Sequence, residues 1–141
     1  MNRSLRIAVA DDEPDMRDYF QRILPRLGHK VVAVARDGRE LVALCRSTGP
    51  DLVITDIKMP ELDGINAAMQ IQRAKATPII LVSAYHDPEL IARAAADHVM
   101  GYLVKPIKAS DLGPAIALAL CRFEQMEALR RAAARSPQEA D

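Results

Sequence analysis

Five short apolar segments recur at nearly even intervals along this 141-residue chain: Leu5 to Ala10, Lys30 to Ala35, Asp51 to Thr55, Pro78 to Ser83 and Gly101 to Val104. Three of them hold unbroken runs, Ile7-Ala8-Val9-Ala10, Leu52-Val53-Ile54 and Ile79-Ile80-Leu81-Val82. A strand with water on one face alternates apolar and polar residues. An unbroken run therefore means a strand covered on both faces, which is the condition of a parallel sheet.

The stretches between these segments carry helical period. Met16, Tyr19, Phe20, Ile23, Leu24 and Leu27 fall at steps of three and four, and Leu41, Val42, Leu44 and Cys45 form a shorter stripe. Further helices are predicted from Ile65 to about Ala74, from Pro88 to about Asp97, and from Ala109 through about Ala133. A helix after every strand gives an α/β fold, (βα)5, a doubly wound five-stranded parallel sheet with right-handed crossovers. Pro14 and Pro88 suit the first turn of a helix, and Asp111 suits a first-turn acid. Pro25 falls where the first helix would continue and predicts a kink or an early end before the Gly28 turn.

Composition limits the function classes. Half of the residues are apolar and 27% are charged, as in a folded globular chain, and the length suits one domain. Lys plus Arg equals Asp plus Glu, at 19 each, so no net field draws the chain to nucleic acid or to an anionic membrane, and direct nucleic-acid binding is not expected. No apolar run approaches the roughly 18 residues of a membrane helix, which predicts a cytoplasmic protein without membrane partners. Cys45 and Cys121 fit neither a metal-ligand spacing nor a disulfide framework and are expected to be reduced and buried.

In an open parallel sheet, ligands bind at the carboxyl ends of the strands near a topological switch point. The residues found there are Asp11-Asp12-Glu13 after the first strand, Asp56 after the third, Ser83 after the fourth and Lys105 after the fifth. Acids from neighbouring strand ends offer hard oxygens to one cation, and Mg²⁺ takes one or two carboxylates, keeps waters and bridges to phosphate. A carboxylate such as Asp56 can attack phosphorus to form an acyl phosphate, with charge on the phosphoryl oxygens neutralised by the metal, Lys105 and Ser83. Singly, each residue also reads as a helix cap, a turn residue or a surface charge. Four strand ends carrying the required types on one edge are not explained by capping.

These residues, with Val9-Ala10-Asp11-Asp12-Glu13, the segment Asp56-Ile57-Lys58-Met59-Pro60-Glu61-Leu62-Asp63-Gly64, Ser83-Ala84 and Gly101-Tyr102-Leu103-Val104-Lys105-Pro106, resemble the receiver domains of two-component response regulators over roughly Leu5 to Leu120. The resemblance implies a flavodoxin-like, CheY-like fold and phosphorylation of Asp56 by a sensor histidine kinase. It also implies Mg²⁺ held by Asp11, Asp12, Asp56 and the Lys58 backbone carbonyl, and Lys105 on the phosphoryl group. Ser83 and Tyr102 would form the switch that remodels the face of helix four, strand five and helix five. The Lys105-Pro106 bond would be cis. The chain departs from the family's usual Ala-Gly-Ala before strand five, having Asp97-His98-Val99-Met100, which would place His98 in a left-handed conformation. His86, near Ser83, is read as a rim residue that positions water or as an ordinary loop residue.

The domain is expected over residues 1–121, with a helix extension and a disordered tail over 122–141. Leu112, Ile116, Ala119, Phe123 and Met126 are spaced four, three, four and three. The first of these pack on the sheet, while Phe123 and Met126 either offer a homodimer or partner contact or belong to a frayed end. Ala119 to Glu124 resembles the start of the coiled coil joining receivers to RNA-binding ANTAR modules, so the chain is a single-domain regulator acting on an unknown downstream protein or a receiver fragment of such a regulator. Two other classes compete. A haloacid-dehalogenase-type phosphatase needs a second Asp two positions after the nucleophile, where this chain has Lys58. A phosphate-independent pseudo-receiver usually lacks part of the acidic site, which this sequence keeps. No enzyme activity is expected beyond loss of the chain's own phosphoryl group.

Overall fold

The structure is a computed structural model that describes residues 3–84, 88–95 and 99–139. Strands β1 (Arg6–Ala10), β2 (Lys30–Ala35), β3 (Leu52–Asp56), β4 (Ile79–Ser83) and β5 (Val99–Val104) alternate with helices α1 (Pro14–Arg26), α2 (Gly38–Thr48), α3 (Gly64–Ala74), α4 (Pro88–Ala95) and α5 (Ala109–Glu139). All four strand pairings are parallel, in the order β2-β1-β3-β4-β5. Strand order reverses between β1 and β3, which places a ligand crevice outside their carboxyl ends.

The unbroken apolar runs divide between two cores. Ala8, Ala10, Val53 and Leu81 face one side and meet Leu41, Val42 and Cys45 of α2 and Ile65, Ala68 and Ile71 of α3. Ile7, Val9, Ile54 and Val82 face the other side and meet Phe20 and Leu24 of α1 and Leu112, Ile116 and Ala119 of α5. Each fully buried Leu or Ile contributes about 1.5–3 kcal/mol of transfer free energy, so both faces must be covered for the sheet to be stable. Cys45 lies in the first core, where burial pushes its thiol up to about 12.

Helix ends follow local chemistry. Asp37 caps α2 by accepting the Glu40 amide proton at 2.8 Å, and Asp63 caps α3 by accepting that of Asn66 at 2.8 Å. Pro14 opens α1, Pro88 opens α4, and Asp111 in the first turn of α5 accepts the Lys108 amide proton. The early end at Pro25 is found: α1 stops one residue later, at Arg26. Gly28, at φ 91°, closes it, with the Gly28 amide donating to Pro25 and the His29 amide to Leu24.

Four expectations change. Strand β5 begins at Val99, not Gly101, because Gly101 is a pairing residue opposite Ile80; a Cβ there would lie 3.3 Å from Ile80 Cγ1, and glycine lets the strands approach. Helix α5 runs to Glu139, into the expected disordered tail, consistent with the high helix propensity of Ala132-Ala133-Ala134-Arg135. Cys121 is exposed, since it lies two residues beyond buried Ala119 and so on the outer face of the helix. Phe123 and Met126 are half-buried against the chain's own core and so do not stand clear as a docking seam. The expectations placed on His86 and His98 lie outside the described residues. Among the described residues, no helix is long and apolar enough to cross a membrane.

Candidate functional site

Strand ends deliver the predicted side chains to one place. Asp11 follows β1 directly and is fully buried, Asp56 ends β3 at 7% exposure, and Ser83 ends β4, also buried. The Lys105 amide donates to the Ser83 carbonyl at 2.8 Å, extending the β4–β5 ladder one step past the strand and fixing the lysine backbone. Its side chain then crosses the crevice. Lys105 Nζ lies 3.1 Å from Asp11 Oδ2, 3.1 Å from Glu13 Oε1 and 3.4 Å from Asp56 Oδ2. The Lys105–Pro106 peptide bond is cis.

The two oxygens of Asp56 differ in environment. Oδ1 accepts the Ile57 amide proton at 2.8 Å, which holds the carboxylate in one orientation, while Oδ2 faces the ammonium. Asp11 is held in the same way, its Oδ1 accepting from the Glu13 amide at 3.0 Å. Its Oδ2 is buried without a hydrogen bond of good geometry, although the Lys105 ammonium is close enough for charge attraction. A buried carboxylate oxygen in that state is costly unless a cation completes its surroundings.

Charge is concentrated beyond what Lys105 can balance. Ligand oxygens of Asp11, Asp12, Glu13 and Asp56 lie within 4.8 Å of one another. Burial, and for Asp56 the nearby Asp11 charge, push the Asp11 and Asp56 carboxyls above their ordinary range. Burial works against the Lys105 charge, but the hydrogen bond to Glu13 and the attraction to Asp11 and Asp56 prevail and raise it. One ammonium against four carboxylates leaves an excess of hard anionic oxygen, and this donor set fits a divalent cation such as Mg²⁺.

The β3–α3 loop carrying Lys58 is pinned against the site. The Gly64 amide donates to the Ile57 carbonyl at 2.7 Å, and a Cβ on Gly64 would collide with the Asp56 carbonyl oxygen. Gly38, at the start of α2, likewise leaves room for the Leu62 carbonyl. Tyr102 lies apart on β5, opposite Leu81, half-buried against the α2/α3 core. Three contributors went unread as site residues. Gly38 was signalled only by the Asp37-Gly38 pair after β2. Glu13 was visible as an acid but not as a partner of Lys105. Arg17, whose guanidinium donates to the Asp11 carbonyl at 2.9 Å, gave no sequence signal.

An acid-lined crevice at the β1/β3 switch point, with an aspartate ending β3 and a lysine after β5, defines a class of signalling domain. Residues 7–117 match the model of the response regulator receiver domain, and the chain belongs to that family. It is 43% identical over 124 residues to the transcriptional regulatory protein PdtaR of Mycobacterium tuberculosis, covering 88% of this chain and 60% of that protein. It is 37% identical over 112 residues to the chemotaxis protein CheY of Bacillus subtilis, covering 79% of this chain and 93% of that one. In structure it is similar to the receiver domain of the response regulator NarL from Mycobacterium tuberculosis, with TM-score 0.78 and 26% identity over 84% of this chain and 98% of that chain. The fold is the CheY-like receiver fold, a five-stranded parallel sheet with an extended C-terminal helix.

Proposed function

We propose that this chain takes a phosphoryl group onto Asp56 from a phosphohistidine of a sensor histidine kinase. The observation that carries the reading is the pair of Asp56 oxygens, one anchored by the Ile57 amide and the other turned to the Lys105 ammonium across the acidic crevice. Asp56 Oδ2 forms the new bond to phosphorus as the P–N bond breaks. The bonding pair stays on the imidazole nitrogen, and the product is an acyl phosphate. Such transfer asks the protein for positioning and charge neutralisation, and Lys105 supplies both. Asp11, Asp12, Asp56 and the Lys58 backbone carbonyl would hold Mg²⁺, which when bound adds positive charge facing the phosphoryl oxygens.

The phosphoryl group brings about two negative charges and strong acceptor oxygens to an edge where Ser83 presents a buried hydroxyl. Ser83 moves toward it, Tyr102 takes up the space released, and the face of α4, β5 and α5 changes shape for a downstream protein or a second copy of the chain. The only chemistry assigned to the domain is formation and loss of its own acyl phosphate. The chain spans about 60% of the length of PdtaR.

Intact mass after incubation with acetyl phosphate and Mg²⁺ tests the reading, with size-exclusion chromatography alongside. A gain of one phosphoryl group that needs the metal and is lost in Asp56→Asn is the expected result. No gain, either with this donor or with a panel of histidine kinases, would leave a phosphate-independent binding module.

A further inference from the structure

Lys105 is fully subscribed. Its ammonium has three donors, and three carboxylates from the β1–α1 loop and the end of β3 claim them: Asp11 Oδ2 and Glu13 Oε1 at 3.1 Å and Asp56 Oδ2 at 3.4 Å. A phosphoryl group on Asp56 brings several strong acceptor oxygens to the same ammonium, so it competes with the carboxylates already there. Asp11 is fully buried and held through its Oδ1, and Asp56 is the reacting group. Glu13 differs from both, because its side chain is 62% exposed and its carboxylate can return to water at little cost.

Among the described residues, the hydrogen-bond partner of the Glu13 side chain is Lys105. Glu13 is the N-cap residue of α1, the position where a short polar side chain would accept a free helix amide, yet its side chain makes no capping bond. Instead it reaches across 92 positions of sequence to the lysine. Its backbone serves the site separately, through the amide that donates to Asp11.

We propose that Glu13 is a positioning residue, a resting-state tether that holds Lys105 away from full engagement with Asp56 and competes with the incoming phosphoryl oxygens for its ammonium. Glu13 thus sets how readily the domain is phosphorylated and how long the acyl phosphate is protected. This inference rests on the phosphoacceptor reading of Asp56 and deepens it. In the unphosphorylated domain the lysine is shared among three acids. In the phosphorylated domain Glu13 swings into solvent and the lysine turns to the phosphoryl group.

The test is a double-mutant cycle on the full chain, reading acetyl phosphate uptake and acyl-phosphate lifetime for wild type, Glu13→Gln, Lys105→Ala and the double variant at fixed Mg²⁺. Releasing one exposed partner of an ion pair gives about a two- to fivefold faster uptake or longer lifetime in Glu13→Gln, the scale set by exposed pairs. The same substitution in the Lys105→Ala background changes nothing, because the tether has no object. Glu13→Asp keeps the charge but shortens the reach, and behaves as Glu13→Gln.

Three outcomes overturn the proposal. An undiminished gain in the Lys105→Ala background would show plain relief of repulsion between Glu13 and the anionic donor. A raised Mg²⁺ requirement in Glu13→Gln would assign Glu13 to the metal. Uptake and lifetime unchanged in Glu13→Gln would remove the tether while leaving the phosphoacceptor reading intact. If wild type takes up no phosphoryl group, that earlier reading fails first and the tether falls with it.

Discussion

The two edges of the sheet are built on opposite terms. At the amino-terminal edge, polar groups find partners. The Arg6 amide donates to Asp51 Oδ2 at 2.8 Å, the Arg6 guanidinium to the Thr48 and Gly49 carbonyls at the end of α2, and the Leu5 amide to His29 Nδ1 at 3.1 Å. The Thr77 amide donates to Gln72 Oε1, and Gln72 in turn donates to the Thr77 carbonyl. At the carboxyl-terminal edge, four carboxylates cluster, three of them share one lysine, and Asp11 Oδ2 is buried without a well-formed hydrogen bond. One edge is finished for stability. The other holds unsatisfied charge that folding alone does not explain, as functional sites do when they depart from otherwise consistent local rules.

The contrast can be broken from the carboxyl edge first. Lys105→Ala removes the cation facing Asp56 Oδ2 and should lower the rate of phosphoryl uptake about 100-fold or more, the scale for loss of one preorganised charge-stabilising donor. Mg²⁺ binding should survive, as titration calorimetry can check. Unchanged uptake kinetics would remove the role given to Lys105.

Asp11→Asn should move stability in the opposite direction from uptake. Burial raises the Asp11 pKa in the folded chain, so the folded state holds its proton more strongly than the unfolded one. Stability then falls as pH rises above the unfolded carboxylate pKa. Asn removes that loss, so the variant should unfold about 1–3 kcal/mol higher by denaturant titration at pH 7, the scale of one unsatisfied buried polar group. It should also lose most of its response to Mg²⁺. A destabilised Asp11→Asn would mean that the acidic edge is as well satisfied as the other.

At the amino edge the same kind of change should only cost. Asp51→Ala deletes the acceptor of the Arg6 amide and should destabilise by about 1 kcal/mol without altering uptake, since the bond is exposed. His29 sharpens the comparison through pH. Burial lowers its pKa below the ordinary 6.5, and Nδ1 must be unprotonated to accept from Leu5. The unfolded chain therefore binds more protons below pH 6.5, and this part of the stability is complete above that pH and lost as pH falls below it. His29→Asn should flatten that loss in a pH series of melting curves, and an identical slope would exclude His29 as its source.

Much of this was legible in residue order. The unbroken runs of β1, β3 and β4 announced a sheet covered on both faces, and the strand-end residues Asp11, Asp56, Ser83 and Lys105 announced which edge would gather polar and charged side chains. Less legible were features that depend on reach or facing. The distance from Glu13 to Lys105 and the fold of Arg17 back onto the Asp11 carbonyl are set by side-chain conformation across elements, which no period records. Cys121 was misread because an apolar residue in a helix was assumed to face inward, when its angular offset from Ala119 turns it outward. The seam ending in Phe123 and Met126 was traced correctly as a stripe, but its far end folds onto the same core as its start.

The most direct measurement chemically traps the phosphorylated residue. The chain is incubated with acetyl phosphate and Mg²⁺, the acyl phosphate is reduced with borohydride, and the position of the resulting homoserine is read by peptide mass spectrometry. Homoserine at position 56 alone is the predicted result. Homoserine at position 11, 12 or 13, or a borohydride-resistant phosphate on a hydroxyl side chain, would contradict the assignment of Asp56.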